Sequence, residues 1–350
     1  AAGAAAEQAT SSGPGADALA ALVRSSSLEE VRRHKTSPGD LRWSTGSDQN
    51  LLFLAAQRRA GLAPDAEGIA RHLAGEGVPL DAIDKRGQTP LFFAAAGGNA
   101  ALAGFLLERR ADADRQDSSW AQTPLFFAAR YGHQECVQLL LDQRASAGRR
   151  DVNYQSALFY ATKYGTPACT RALLSTASAV PAGALDSRGQ TALFRAKDSE
   201  SCRLLLDSDC DANILDLYGQ SALFYAAKDN ALENVKLLIA RQAEVNARDL
   251  NRDTPLFYAV QQGHKAMCRY LVESAAADPL CENKVGVTPA GAAKTSGHAE
   301  LAALLVRWSK QKQEALARGR RRPGAAIAAF PEPARQQRRR LSRGAGDEAP

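Results

Sequence analysis

Gln122-Thr123-Pro124-Leu125-Phe126-Phe127-Ala128-Ala129 is a stretch that the chain repeats with few changes. Copies read QTPLFFAA from Gln88, QSALFYAT from Gln155, QTALFRAK from Gln190, QSALFYAA from Gln220 and DTPLFYAV from Asp253, with VTPAGAAK from Val287 as a fainter version. The leading Thr or Ser stands at 89, 123, 156, 191, 221, 254 and 288, so the intervals are 34, 33, 35, 30, 33 and 34. A period of this length marks a supersecondary element that cannot bury its apolar face alone and must stack on its neighbours.

Each copy has the same surroundings. A polar turn such as DKRGQ, DSRGQ or DLYGQ precedes it, with Gly87, Gly189 and Gly219 at a bend that a Cβ would hinder. Thr or Ser then stands where an N-cap belongs, followed in several copies by a proline at the first helical position, as in Thr89-Pro90, Thr123-Pro124 and Thr254-Pro255. Leu125, Ala128 and Ala129 make a thin helix that stacks closely. A break at YGH, QGH or SGH follows, and a second helix of the type HQECVQLLLD returns antiparallel.

The pattern resembles the ankyrin repeat, whose signature is a turn, TPLHxAA, a Gly-His break and a VVxLLLxxGAD-type second helix. The resemblance covers residues 84–307, and more loosely 50–83, where Asn50-Leu51-Leu52-Phe53-Leu54-Ala55-Ala56 matches with an insertion near Ala60–Asp65. It implies an all-α solenoid of stacked antiparallel helix pairs joined by hairpin-like turns, with disordered termini. The expected organisation is a disordered N-terminus over 1–15, capping helices and a degenerate repeat over 16–83, the array over 84–308, and a basic, disordered tail over 309–350. Ser27 opens SLEEVRR as a capping box closed by Glu30.

Two departures from the family pattern carry expectations. The His after TPL is replaced by Phe92, Phe126, Phe159, Phe194, Phe224 and Phe257, which exchanges a polar contact between repeats for apolar stacking. The Gly that ends the second helix is replaced by Arg110, Arg144, Asp209 and Gln242, so softer helix ends or a different turn are expected, because a left-handed residue with a Cβ costs on the order of 1 kcal/mol. The repeat at Thr191 is short and lacks its Gly-His break, and the STASAVPAGALD stretch before it is loose; any bend in the array belongs there.

Composition narrows the function. No apolar run approaches the roughly 18–20 residues a spanning helix needs, and the N-terminus has no leucine-rich core of a signal peptide. Between Arg307 and Pro350 twelve Lys/Arg face four Asp/Glu, an excess of eight, so the net +6 leaves residues 1–306 at −2. Of the six cysteines, Cys136, Cys169, Cys202 and Cys268 fall in register with apolar positions, and there is no CxxC pair, which reads as core filling in a reducing, intracellular setting, cytoplasmic or nuclear.

Residues able to do chemistry also fall in register. His133, His264 and His298 sit at the Gly-His break, and His34 and His72 have no ligand at metal-binding spacing. Asp84, Asp151, Asp186, Asp216 and Asp249 recur where turn bonding explains them. There is no phosphate-binding GxxxxGK[ST]. The sequence therefore points away from an enzyme, a cofactor, a metal or a small-molecule substrate. Asn213 and Asn246 resemble family positions open to asparagine hydroxylation, with a plain turn role as the simpler reading.

A surface remains. Family partners meet the turns and the exposed face of the first helix, which by register places partner-binding residues at Lys85, Arg86, Trp120, Arg130, Tyr131, Tyr154, Lys163, Tyr164, Arg188, Tyr218 and Lys228. Trp, Tyr and Arg are the types enriched at binding hot spots. The resemblance thus implies a scaffold or adaptor for another protein. The alternative is a nuclear or nucleic-acid-associated factor that uses Arg318–Arg322 and Arg335–Arg343 on phosphates, with Ser342 as a basophilic kinase site. The same tail also reads as solvated arginine-rich chain.

Overall fold

The computed structural model describes residues 14–34, 40–58, 65–176 and 181–320. The chain divides into two units, Ala1–Leu305, which holds the repeats, and Val306–Pro350. Among the described residues there are seventeen α-helices, two short 3₁₀ turns and no β-strand.

Helix α1 (Pro14–Ser25) and α2 (Leu28–Arg33) open the fold. The first repeats are α3 (Leu51–Ala56) with α4 (Ala66–Gly75), α5 (Pro90–Gly97) with α6 (Ala100–Glu108), and α7 (Pro124–Tyr131) with α8 (Gln134–Asp142). Next come α9 (Ala157–Tyr164) with α10 (Pro167–Leu174), then a single 3₁₀ turn, Ala192–Arg195, with α11 (Ser199–Asp207). The last are α12 (Ala222–Lys228) with α13 (Leu232–Ala240), α14 (Pro255–Gln261) with α15 (Lys265–Glu273), and α16 (Pro289–Thr295) followed by α17 (Ala299–Arg320).

First helices pack on first helices, α5 on α7 on α9 and α12 on α14, while α6, α8 and α10 form the second row. Small residues make the close approach of the first row feasible, since Ala94, Ala95, Ala128, Ala129, Ala161, Ala227 and Ala259 are buried. The leucines and phenylalanines beside them are buried too, and full burial of each contributes about 1.5–3 kcal/mol. Helix α1 packs on α3 and α2 on α4, so the opening pair continues both rows. The Ser27–Glu30 capping box closes reciprocally at the start of α2.

Phenylalanine stacking between repeats is present, and its partner lies one residue further along the next repeat. Edge-to-face pairs join Phe53 to Phe93, Phe92 to Phe127, Phe126 to Tyr160, Phe194 to Tyr225 and Phe224 to Tyr258, with centroids 5.5–5.7 Å apart. Such a pair contributes about 0.5–1.5 kcal/mol beyond its buried area. The ladder breaks at Phe159, because the short repeat places Arg195 where the others place a ring.

Several expectations need correction. The Thr and Ser hydroxyls at the first-helix N-termini do not cap. Thr89, Thr123, Ser156 and Ser221 hold extended N-cap geometry, but their hydroxyls are buried without a hydrogen-bond partner, and Thr191 and Thr254 instead face Cys210 and Cys281. Only in the last copy does Thr288 reach Gly291 N, at 3.3 Å. Pro at the first helical position removes one orphan N–H without help from the side chain.

The second-helix ends are neither softened nor rebuilt. Arg110, Arg144, Asp209 and Gln242 all take the left-handed conformation, with φ of 65°, 63°, 58° and 62°, and Ala276 joins them at 59°. The Gly at the break after α5 does need its special freedom. Gly98 has φ 72°, and a Cβ there would lie 2.5 Å from His133 Nδ1.

At both ends the boundaries move. Helix α1 starts at Pro14, inside the stretch expected to be disordered, and residues 1–13 lie outside the described residues. Helix α17 runs on to Arg320, past the end of the repeat register at Trp308, so the tail expected from 309 begins as helix. The expected insertion and the loose segment before Pro181 lie largely outside the described residues, at 59–64 and 177–180. The short repeat keeps its second helix and reduces its first to one turn.

Candidate partner-binding surface

Five of the turn tips are built the same way, and the Trp120 tip differs by one extra residue after Asp117. Asp84 Oδ1 accepts from the backbone N–H groups of Arg86 and Gln88, both at 2.9 Å, which folds the chain back on itself. Asp151, Asp186, Asp216 and Asp249 repeat this bonding, confirming their turn role. The bend behind each tip is left-handed. Glycine takes it at Gly87, Gly189 and Gly219, while Ala121, Tyr154 and Arg252 accept φ of 55°, 60° and 60° in the other repeats.

Successive tips are then tied by one backbone bond each. Ser118 N donates to Arg86 O, Val152 N to Trp120 O, Ser187 N to Asn153 O, Leu217 N to Arg188 O and Leu250 N to Tyr218 O. Side-chain amides add a second line of ties behind the tips, as Gln88 to Asp117, Gln155 to Asp186, Gln190 to Asp216 and Gln220 to Asp249. Exposed side chains are thereby held on an ordered edge. Asn213 and Asn246 serve the loops on the other side, each donating to a carbonyl of the next repeat and accepting from its backbone.

Six of the residues singled out by register stand on these tips: Lys85, Arg86, Trp120, Tyr154, Arg188 and Tyr218, all exposed. Trp120 is 55% exposed, Tyr154 62% and Tyr218 56%. Beside them are apolar side chains that reasoning from polar and aromatic residues passed over, above all Leu217 at 68% and Leu250 at 59% exposed, with Val152. Their register alone could have found them, since they hold the same place in the turn as Lys85.

The other five sit at the C-terminal ends of first helices. There Arg130, half-buried, lies over the rings of Tyr131 at 5.6 Å and Tyr164 at 5.0 Å. The Lys163 ammonium sits over the Tyr164 ring at 5.4 Å, and Tyr160 stacks on Tyr164 with centroids 6.3 Å apart. Arg130, Tyr131, Lys163 and Tyr164 thus form one cation–aromatic cluster across two repeats. Lys228 is exposed on the end of α12.

Behind the cluster, Tyr160 donates to Asp151 Oδ2 and accepts from Gln122, and Tyr225 and Tyr258 do the same with Asp216 and Gln190, and with Asp249 and Gln220. Burial, reinforced by the bond to the carboxylate, raises all three phenols, Tyr225 to about 12.

The histidines at the breaks are bonded to the preceding repeat and the cysteines are buried. His133, His264 and His298 bridge back to the carbonyls of Ala96, Lys228 and Gln261 at 2.9, 2.8 and 3.1 Å. All six cysteines are free and buried, and burial pushes the thiols of Cys136, Cys202 and Cys268 up to about 12, well away from a reactive thiolate. Among the described residues no three His, Cys, Asp or Glu side chains gather as a metal site, and no helix is long and apolar enough to cross a membrane.

The sequence profile of the family described as Ankyrin repeats (3 copies) matches residues 52–151, 143–216 and 194–283. The chain belongs to the ankyrin-repeat family. No curated protein matches it. Ankyrin repeats are generally protein–protein interaction modules. The family match also ties the matched span, residues 52–283, to the helix pairs α3 to α15.

Proposed function

We propose that this protein is a non-enzymatic scaffold or adaptor that holds another protein against its turn tips and the C-terminal ends of its first helices. The observation that carries the reading is the row of exposed Trp120, Tyr154, Leu217, Tyr218 and Leu250 on a backbone-bonded edge. Large apolar and aromatic side chains gathered on a surface mark an interaction site, and rigid aromatic anchors lose little entropy on binding. The cluster of Arg130, Tyr131, Lys163 and Tyr164 extends this surface onto the helix ends. Free buried cysteines support an intracellular site of action.

The nuclear or nucleic-acid alternative rests on the basic clusters of the tail, of which residues 321–350, with Ser342, lie outside the described residues. Capture from the native source separates the two. Binding that survives deletion of residues 309–350 and is lost in the W120A/Y131A/Y164A variant supports the scaffold. Binding that vanishes with the tail and falls steeply with salt supports the alternative.

A further inference from the structure

The short repeat leaves a notch in the first-helix row. Its 3₁₀ turn ends at Arg195, whereas the neighbouring first helices run on to Tyr164 and Lys228. The missing turn opens a cavity of about 310 Å³ lined by Lys163, Tyr164, Arg195, Lys197, Tyr225 and Asp229, among others. Arg195 holds the register position that Tyr160 and Tyr225 occupy in adjacent repeats, so the aromatic ladder is interrupted at the same place. The space is therefore built by two coincident changes in one repeat, a lost turn and a ring replaced by a cation.

The charge around the notch is local. Among the described residues, Lys163, Arg195 and Lys197 form no ion pair, and Asp229 is the acid on the rim. The nearby Asp198 caps Ser201 N through Oδ1 and leaves Oδ2 buried without a partner, so it is a second acid beside three cations. A general affinity of cations for helix C-termini would put a basic residue on every first helix. The last turns of α5 and α14 carry none, whereas α7, α9, the 3₁₀ turn, α12 and α16 carry one each. Arg130 and Tyr131 continue the same positive, aromatic surface one repeat before Lys163 and Tyr164.

We infer that this notch is the specificity pocket of the scaffold and that it takes an acidic side chain, Asp or Glu, from an extended acidic segment of the partner protein. The inference rests on the scaffold reading above. Arg195 is placed to receive the carboxylate with charge-assisted hydrogen bonds, the neighbouring lysines favour further acidic residues, and the Tyr164 and Tyr225 rings give apolar walls. The cavity has room for one side chain rather than a whole helix.

The test uses the full chain and an oligoglutamate peptide carrying a benzophenone photocrosslinker, with an oligoglutamine peptide as control. Crosslinks located by mass spectrometry between Lys163 and Asp229 with the glutamate peptide alone, together with affinity about tenfold weaker in R195Q/K197Q, are the expected result. Arg195→Phe, which fills the notch and restores the ring, should also lose the crosslink while leaving thermal stability unchanged or higher. Crosslinks confined to residues 306–350, equal binding by R195Q/K197Q, or preference for a homopolymeric RNA competitor over the peptide would overturn the inference. If the native partner is lost on W120A/Y218A but held by R195Q/K197Q, the notch assignment falls and the scaffold stands. If the partner is held by both variants, the scaffold reading falls with it.

Discussion

Tyr160 donates a 2.8 Å hydrogen bond to Asp151 Oδ2 within its own repeat while accepting one at 2.7 Å from Gln122 of the repeat before. This phenol ties a turn carboxylate to the first-helix row and the previous repeat at once. Tyr225 and Tyr258 repeat the tie. In these three repeats a polar contact between repeats is thus made one residue after Phe159, Phe224 and Phe257. Replacing any one of the three by Phe should cost about 1–2 kcal/mol in denaturant unfolding. Tyr160 should cost most, since Asp216 and Asp249 keep the amides of Gln190 and Gln220 on the same oxygen. An unchanged midpoint in all three variants would show that the ties contribute nothing net.

The same phenols set the alkaline limit. Burial and Asp216 raise Tyr225 from the ordinary 10.0 to about 12. Below the unfolded value both states hold the phenolic proton, so the contribution is complete. Above it the unfolded chain has lost protons that the native state keeps, and stability falls as pH rises through the folded value. Denaturation midpoints should therefore drop between pH 10.0 and about 12, with late tyrosinate absorbance accompanying unfolding. Full reversible titration of the eight tyrosines with the fold intact would contradict this.

Left-handed residues with a Cβ are a reserve of stability. Arg144→Gly and Gln242→Gly, at φ 63° and 62°, should each stabilise by about 1 kcal/mol, seen as a raised unfolding midpoint. Tyr154→Gly should stabilise likewise and at the same time weaken partner binding, because Tyr154 combines a strained backbone with an exposed ring. Destabilisation in all three would mean that their side chains hold the turns.

The buried hydroxyl of Thr123 gives a prediction with a sign opposite to that of a helix cap. A capping Thr loses about 1 kcal/mol on substitution. Thr123 has no hydrogen-bond partner, so Thr123→Val, which keeps the shape, should be neutral or stabilising by up to about 1 kcal/mol in thermal unfolding. A clear loss would show that the hydroxyl works as a cap.

The fold was readable because its determinants are local and periodic. Pro90, Pro124 and Pro255 start helices, Gly87, Gly189 and Gly219 take φ of 73°, 73° and 74°, and the missing residues after Thr191 foretold a defect where the first helix shrinks to one turn. What stayed hidden depends on contacts between repeats. The hydroxyl that separates Tyr160 from Phe127 is plain in the sequence but its partners Asp151 and Gln122 are not, and the idle hydroxyl of Thr123 has the sequence of a cap. Register placed Trp120, Tyr131 and Tyr218 on the outside, where they stand, whereas Leu217 and Leu250 hold the same turn position as Lys85 and were passed over because they are apolar. The continuation of α17 to Arg320 was missed because it ends in Ala, Leu and Arg residues whose helix propensity is high but whose repeat register had already run out.

The central claim is that partner protein lies on the tips and first-helix ends. Amide hydrogen exchange of the full chain, with and without the protein captured from its native source, tests it most directly. Slowed exchange around Trp120, Tyr154, Leu217–Tyr218 and the Lys163–Tyr164 helix end, with the second helices unchanged, is the predicted result. Protection confined to the second helices or to residues 306–350 would contradict it.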